Sequence, residues 1–149
     1  MEQAGRLYAY GSGAVQKSVA KIFKNYLILA GKLLHVIEGQ EERIVALEQM
    51  KKGDVIFLLS VSGNNPVMNE YTRKLREKGL FLVALCQDGA NDLSKLCYFY
   101  FPFFTQKIDV GHDGLSYYSS AGMVPIVELL SLKYTAYQAE RNTSTLSDN

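Results

Sequence analysis

Along this chain short apolar runs alternate with longer stretches in which apolar residues recur three or four positions apart. The first pattern predicts strands buried on both faces of a sheet, and the second predicts helices with one buried stripe. Arg6 to Tyr10 (RLYAY) is the first strand and ends in Gly11-Ser12-Gly13. Val15, Val19, Ile22, Phe23, Tyr26, Leu27 and Ala30 then mark a helix from Ala14 to Ala30, which Gly31 stops. Lys32 to Ile37 (KLLHVI) is a second strand, and Gln40 to Met50 a helix with Ile44, Val45 and Leu47 inward. Lys51-Lys52-Gly53 is its basic end and stop. Asp54 to Leu59 (DVIFLL) is the third strand. A helix from Pro66 to Lys78 follows, with Val67, Met68, Tyr71 and Leu75 as its buried face and Gly79 as its end. Leu80 to Cys86 (LFLVALC) is the fourth strand, Leu93 to Leu96 a single helical turn, and Tyr98 to Phe103 (YFYFPF) the fifth strand. Pro102 cannot donate to a sheet ladder, which assigns that strand to an edge. Thr105 to Leu115 reads as a loop. A last apolar helix runs from Ser116 or Ser119 to about Gln138, and Arg141 to Asn149 reads as a polar, mobile tail.

Strands alternating with helices predict a parallel sheet covered on both faces. The expected fold class is α/β: a three-layer αβα sandwich on a five-stranded parallel sheet, flavodoxin-like in type. With 149 residues the chain makes one domain, residues 1–138, and a polar tail, 139–149.

Composition narrows the partners. At 48% hydrophobic and 21% charged, the chain is an ordinary soluble one. Lys and Arg total 16 against 15 Asp and Glu, and no basic stripe marks a nucleic-acid surface. Its apolar runs are too short to span a membrane, and no secretory signal opens it. Cys86 and Cys97 lack metal-type spacing and read as thiols in a reducing cytoplasm, Cys86 within a buried strand.

The candidate chemistry lies between Asp54 and Asn69, DVIFLLSVSGNNPVMN. A buried strand leads into the hydroxyl-rich turn Ser60-Val61-Ser62-Gly63-Asn64-Asn65, and Pro66 opens a helix. Free backbone N–H groups, two hydroxyls and a helix N-terminus converge there, an arrangement suited to a phosphate. The Gly11-Ser12-Gly13 turn after the first strand faces the same cleft if the first and third strands are neighbours. That turn also sits inside two near-matches. GSGAVQKS approximates a P-loop and GSGAVQ a dinucleotide-binding turn with Glu38 as ribose acceptor, but Gln16 stands where both need glycine.

The GxG turn, the S-x-S-G turn and the polar loop ending in Asn91-Asp92-Leu93 together resemble the SIS (sugar isomerase) domain over about Arg6 to Phe103. The resemblance implies phosphosugar binding. Ser60, Ser62 and Asn65 take the phosphate-contacting positions, Gly63 allows close backbone approach, and Gly11, Ser12 and Gly13 shape the opposite wall. This chain departs from the family at Asn65 (usually Thr), Val67 (commonly Glu) and Val15 (often Ser), and it lacks the Asp, His and Gln common around Glu38 to Arg43.

Sugar-phosphate isomerisation needs an acid/base pair over C1 and C2. His35 lies inside a strand pattern and reads as a satisfied structural histidine; His112 lies in an exposed GHDG segment; Glu38, Glu41 and Glu42 read as caps and solvated charges. No catalytic residue, metal ligand or cofactor is assigned. Such a SIS domain is similar to the effector-sensing half of RpiR-type transcription regulators. That implies a cytoplasmic homodimer or larger homo-oligomer, the apolar last helix being a plausible dimer surface. Direct nucleic-acid binding by this segment is not expected: in those regulators a helix-turn-helix half precedes the SIS domain, and here Met1 stands five residues before the first strand. The alternative is a small aldose-ketose phosphate isomerase.

Overall fold

Each apolar run becomes a strand whose side chains leave both faces of one sheet. In the computed structural model, which describes residues 5–111 and 114–147, the elements follow in order. They are β1 (Leu7–Gly11), α1 (Ala14–Leu29), β2 (Leu34–Ile37), α2 (Gln40–Gln49), β3 (Val55–Leu59) and α3 (Pro66–Glu77). Then come β4 (Phe81–Gln87), α4 (Asp92–Leu96), β5 (Phe99–Phe103), β6 (Lys107–Asp109), β7 (Ser116–Tyr118) and α5 (Met123–Ser147). Five strands form one parallel sheet in the order β2-β1-β3-β4-β5. The sheet is flavodoxin-like, and β5 with its Pro102 is an edge.

Period-two alternation sorts the core into two halves. Leu7 and Ala9 of β1, Val55, Phe57 and Leu59 of β3, and Val83 and Leu85 of β4 pack on one face with Val19, Phe23 and Leu27 of α1 and Met123, Val127 and Tyr134 of α5. Tyr8, Tyr10, Ile56, Leu58, Leu82 and Ala84 pack on the other with Met68, Tyr71 and Leu75 of α3 and Leu93 of α4. That is the expected three-layer arrangement. Buried Asp54 ties the bottom of the sheet, accepting from the backbone N–H of Arg6 at 2.8 Å and of Lys51 at 2.9 Å.

Several local expectations are corrected. His35 is exposed, because β2 is an edge strand and the ring lies outside against Tyr8, with centroids 5.4 Å apart. Ile44, Val45 and Val67 are exposed, and α2 buries no residue fully, resting on the sheet through Ala46 and Leu47. The stretch read as a loop contains β6, which forms a hairpin with β7 just beyond it, Ile108 pairing with Tyr117. Ser116 to Tyr118 are therefore strand, and α5 begins only at Met123, after a turn closed by Met123 N–H on the Ser120 carbonyl at 3.0 Å. At its far end α5 continues to Ser147, so residues 139–147 are helix. Ala139, Glu140 and Arg141 are good helix formers, and the Thr143 hydroxyl donates back to the Ala139 carbonyl at 2.9 Å.

Candidate functional site

The sheet order reverses between β1 and β3, so the loops after these two strands flank one cleft at their carboxyl ends. Gly11 pairs with Leu59, and the Ser12 N–H donates to the Leu59 carbonyl at 3.0 Å. The Gly11-Ser12-Gly13 turn and the Ser60–Asn65 turn are thus stitched together.

Each turn feeds a helix. Gly13 is the N-cap of α1 and supplies no side-chain cap, which leaves the first N–H groups of that helix open. Gly11 is required by close packing: a Cβ there would stand 2.5 Å from the backbone of Gln16 and Lys17. Asn65 caps α3, its Oδ1 accepting from the Met68 N–H at 2.9 Å, and Pro66 starts the helix. Two helix N-termini therefore meet at the cleft with no acidic residue in either first turn. Both orient partial positive charge toward an anion.

The Ser60–Asn65 turn divides its labour. Ser60 is 2% exposed, and its hydroxyl oxygen accepts the Gly63 N–H at 3.2 Å, so it braces the turn from within. Ser62 is exposed and its hydroxyl oxygen accepts the Asn64 N–H at 3.1 Å, leaving its proton for a ligand. Gly63 has a φ of 68° and packs so closely on Asn91 that a Cβ would collide with its side chain. Its carbonyl accepts from Leu93 N–H at 2.9 Å and from Asn69 Nδ2 at 3.2 Å. Asn64 Oδ1 accepts from the Asp92 N–H at 3.1 Å. The turn is held open and rigid from behind by α3 and α4.

Two residues in this scaffold escaped the sequence reading. Asn91, 3% exposed, accepts the Ser94 N–H at 2.9 Å as the α4 cap and donates to the Gln87 and Gly89 carbonyls at 3.2 Å. Its place after the fourth strand is legible in the sequence, and its contact with Gly63 is not. Ser120 is 2% exposed and its hydroxyl accepts from Gln16 Nε2 at 2.8 Å. Gln16, in the place of the missing glycine, thereby links the first turn to the segment leading into α5. A pair so far apart in the chain leaves no local pattern.

The candidate acid/base groups do not assemble. Glu38 pairs with Lys21 at 2.7 Å, Glu42 accepts the Glu38 N–H at 2.8 Å, and His35 lies on the outer edge of the sheet. His112 lies outside the described residues. Among the described residues no group of three or more His, Cys, Asp or Glu could hold a metal, and no helix is long and apolar enough to cross a membrane.

Both stitched turns and the strands that carry them fall within residues 1–109, the stretch matched by the SIS domain family. The chain belongs to that family. Among curated proteins it is similar to the HTH-type transcriptional regulator GlvR of Bacillus subtilis (strain 168), 28% identical over 96 residues. That match takes in 64% of this chain and 38% of GlvR, so the chain spans well under half of that regulator. The sugar isomerase domain of an RpiR transcription factor from Sphaerobacter thermophilus superposes with a TM-score of 0.78 at 20% identity, over 98% of this chain and 78% of that one. The Vibrio vulnificus NanR protein complexed with ManNAc-6P gives 0.77 at 17%, over 99% and 55%. These likenesses join the SIS fold to regulators of the RpiR and NanR type.

Proposed function

We propose that this domain is a phosphosugar sensor, the ligand-binding part of an RpiR-type transcription regulator, and that it grips its ligand by the phosphate. The observation that carries the reading is the convergence of the α1 and α3 N-termini on one cleft, stitched by the Ser12–Leu59 hydrogen bond. The Ser62 hydroxyl, the Asn65 amide nitrogen and the N–H groups of the turn donate to the phosphate. Gly11, Ser12 and Gly13 form the facing wall. Ser60 and Gly63 hold the turn in shape rather than reach the ligand through their side chains.

Sensing requires that occupancy change something outside the cleft. The Gln16–Ser120 hydrogen bond gives a route from the first turn of α1 to the start of α5. Exposed Leu129, Leu132 and Tyr137 make α5 an apolar surface suited to a second copy, so the reading includes a homo-oligomer whose arrangement responds to ligand. The regulator reading is favoured over an isomerase because Glu38 and Glu42 are engaged with Lys21 and the α2 N-terminus rather than poised over the cleft.

A thermal-shift panel of phosphosugars, ManNAc-6P included, beside their unphosphorylated parents tests this reading. A ligand at about 100 times its Kd stabilises the fold by about 2.7 kcal/mol. At least one phosphosugar should raise the melting temperature while its parent sugar does not. No shift across the panel, or an equal shift with parent sugars, contradicts the reading; turnover of the bound sugar would establish the isomerase instead.

A further inference from the structure

A cationic hollow lies between α2 and α3. It has a volume of about 200 Å³ and is lined by Arg43, Ile44, Leu47, Val67, Glu70, Tyr71 and Lys74. Arg43 is its fixed feature. One guanidinium nitrogen donates to the Tyr10 hydroxyl at 3.0 Å, and the group lies over the Tyr10 and Tyr71 rings, 5.7 and 5.6 Å from their centroids. Stacking and a hydrogen bond preorganise a guanidinium for planar, two-pronged recognition of an oxyanion.

Arg43 makes no ion pair within 4.0 Å among the described residues, and the single carboxylate of the hollow, Glu70, is engaged by Lys74 at 2.9 Å. Two cations thus face one anion. Tyr71, 5% exposed, lines the same hollow, but its hydroxyl oxygen is buried away from it. A guanidinium with no ion partner, held over two rings, is the polar half of an anion site. Ile44 and Val67, 54% and 52% exposed, form an apolar wall open to solvent.

We infer that the α2/α3 hollow is a separate site for a short-chain organic carboxylate, its head on Arg43 and its chain against Ile44 and Val67. The inference does not depend on what the Ser60–Asn65 turn binds.

Butyrate is the probe, with butyramide as its uncharged counterpart, followed by side-chain and backbone NMR. Butyrate should shift the Arg43 Nε–H and the amides of Ile44 and Val67 saturably, with Gly63 little affected, and butyramide should do so at least tenfold more weakly. Arg43→Met should abolish the response, Arg43→Lys should retain a weakened one, and Ser62→Ala should leave it intact. Circular dichroism establishes that each variant is folded. If butyramide matches butyrate, if the folded Arg43→Met variant responds as wild type does, or if butyrate produces no saturable shift, the site does not exist.

Discussion

Within the turn, residues two positions apart do different work. Ser60 supports the fold and Ser62 is the serine proposed to meet the ligand, a distinction invisible in S-x-S-G itself because both serines are small and polar. Burial separates them. Ser60→Ala removes the acceptor of the buried Gly63 N–H and should cost about 1–3 kcal/mol of stability in urea denaturation. Ser62→Ala, at an exposed position, should leave stability within about 0.5 kcal/mol of wild type. Gly63→Ala meets two obstacles, the left-handed φ of 68° and the Asn91 side chain. It should destabilise the domain by about 2 kcal/mol or more, measured the same way. The need for glycine was legible from the motif, but the neighbour that enforces it was not, since Asn91 comes from a different strand-to-helix connection.

Among the elements, the most consequential contact is the one that crosses the chain. Gln16 spoils both nucleotide-binding patterns, and the structure gives that departure a physical reason: its amide reaches the buried Ser120 hydroxyl. Gln16→Ala should leave that hydroxyl without its partner, costing about 1–3 kcal/mol, and should loosen the start of α5. Faster amide hydrogen exchange at Met123 to Val127 would report the loosening; unchanged exchange there would show that the link transmits nothing. Elements with strong periodicity, α1 and α3 among them, were readable to within a residue or two. The hairpin was not. β6 and β7 are each three residues long and expose their apolar side chains, so neither burial nor alternation marked them. Ile44, Val45 and Val67 misled for the opposite reason, being apolar side chains left at the surface, two of them lining a hollow.

For the whole molecule, the alternation of strand and helix sufficed for the layers, and the position of Pro102 sufficed for one edge. The order of the strands was a condition and not a deduction, because periodicity says which faces are buried but not which strand lies beside which. The pairing of β1 with β3 supplies it. The global electrostatics make one further prediction. Burial pushes the Cys97 thiol up from its ordinary 9.0 to about 12, and it raises Cys86 and the Tyr71 phenol in the same direction. Above pH 9 the unfolded chain releases thiol protons that the folded one retains, so the unfolded state gains. Stability should therefore be insensitive to these groups at neutral pH and fall as the pH rises from about 9 toward 12. Urea midpoints across that range measure it, and Cys97→Ala should flatten part of the decline.

The central claim is that the Ser60–Asn65 turn holds the phosphate of a sugar. Isothermal titration of wild type and Ser62→Ala with the most stabilising phosphosugar tests it most directly. Loss of a hydrogen bond to a charged group is worth about 1.5–3 kcal/mol, so the Kd should rise about tenfold or more in a variant as stable as wild type. An unchanged Kd in that folded variant would contradict the claim and move the ligand elsewhere.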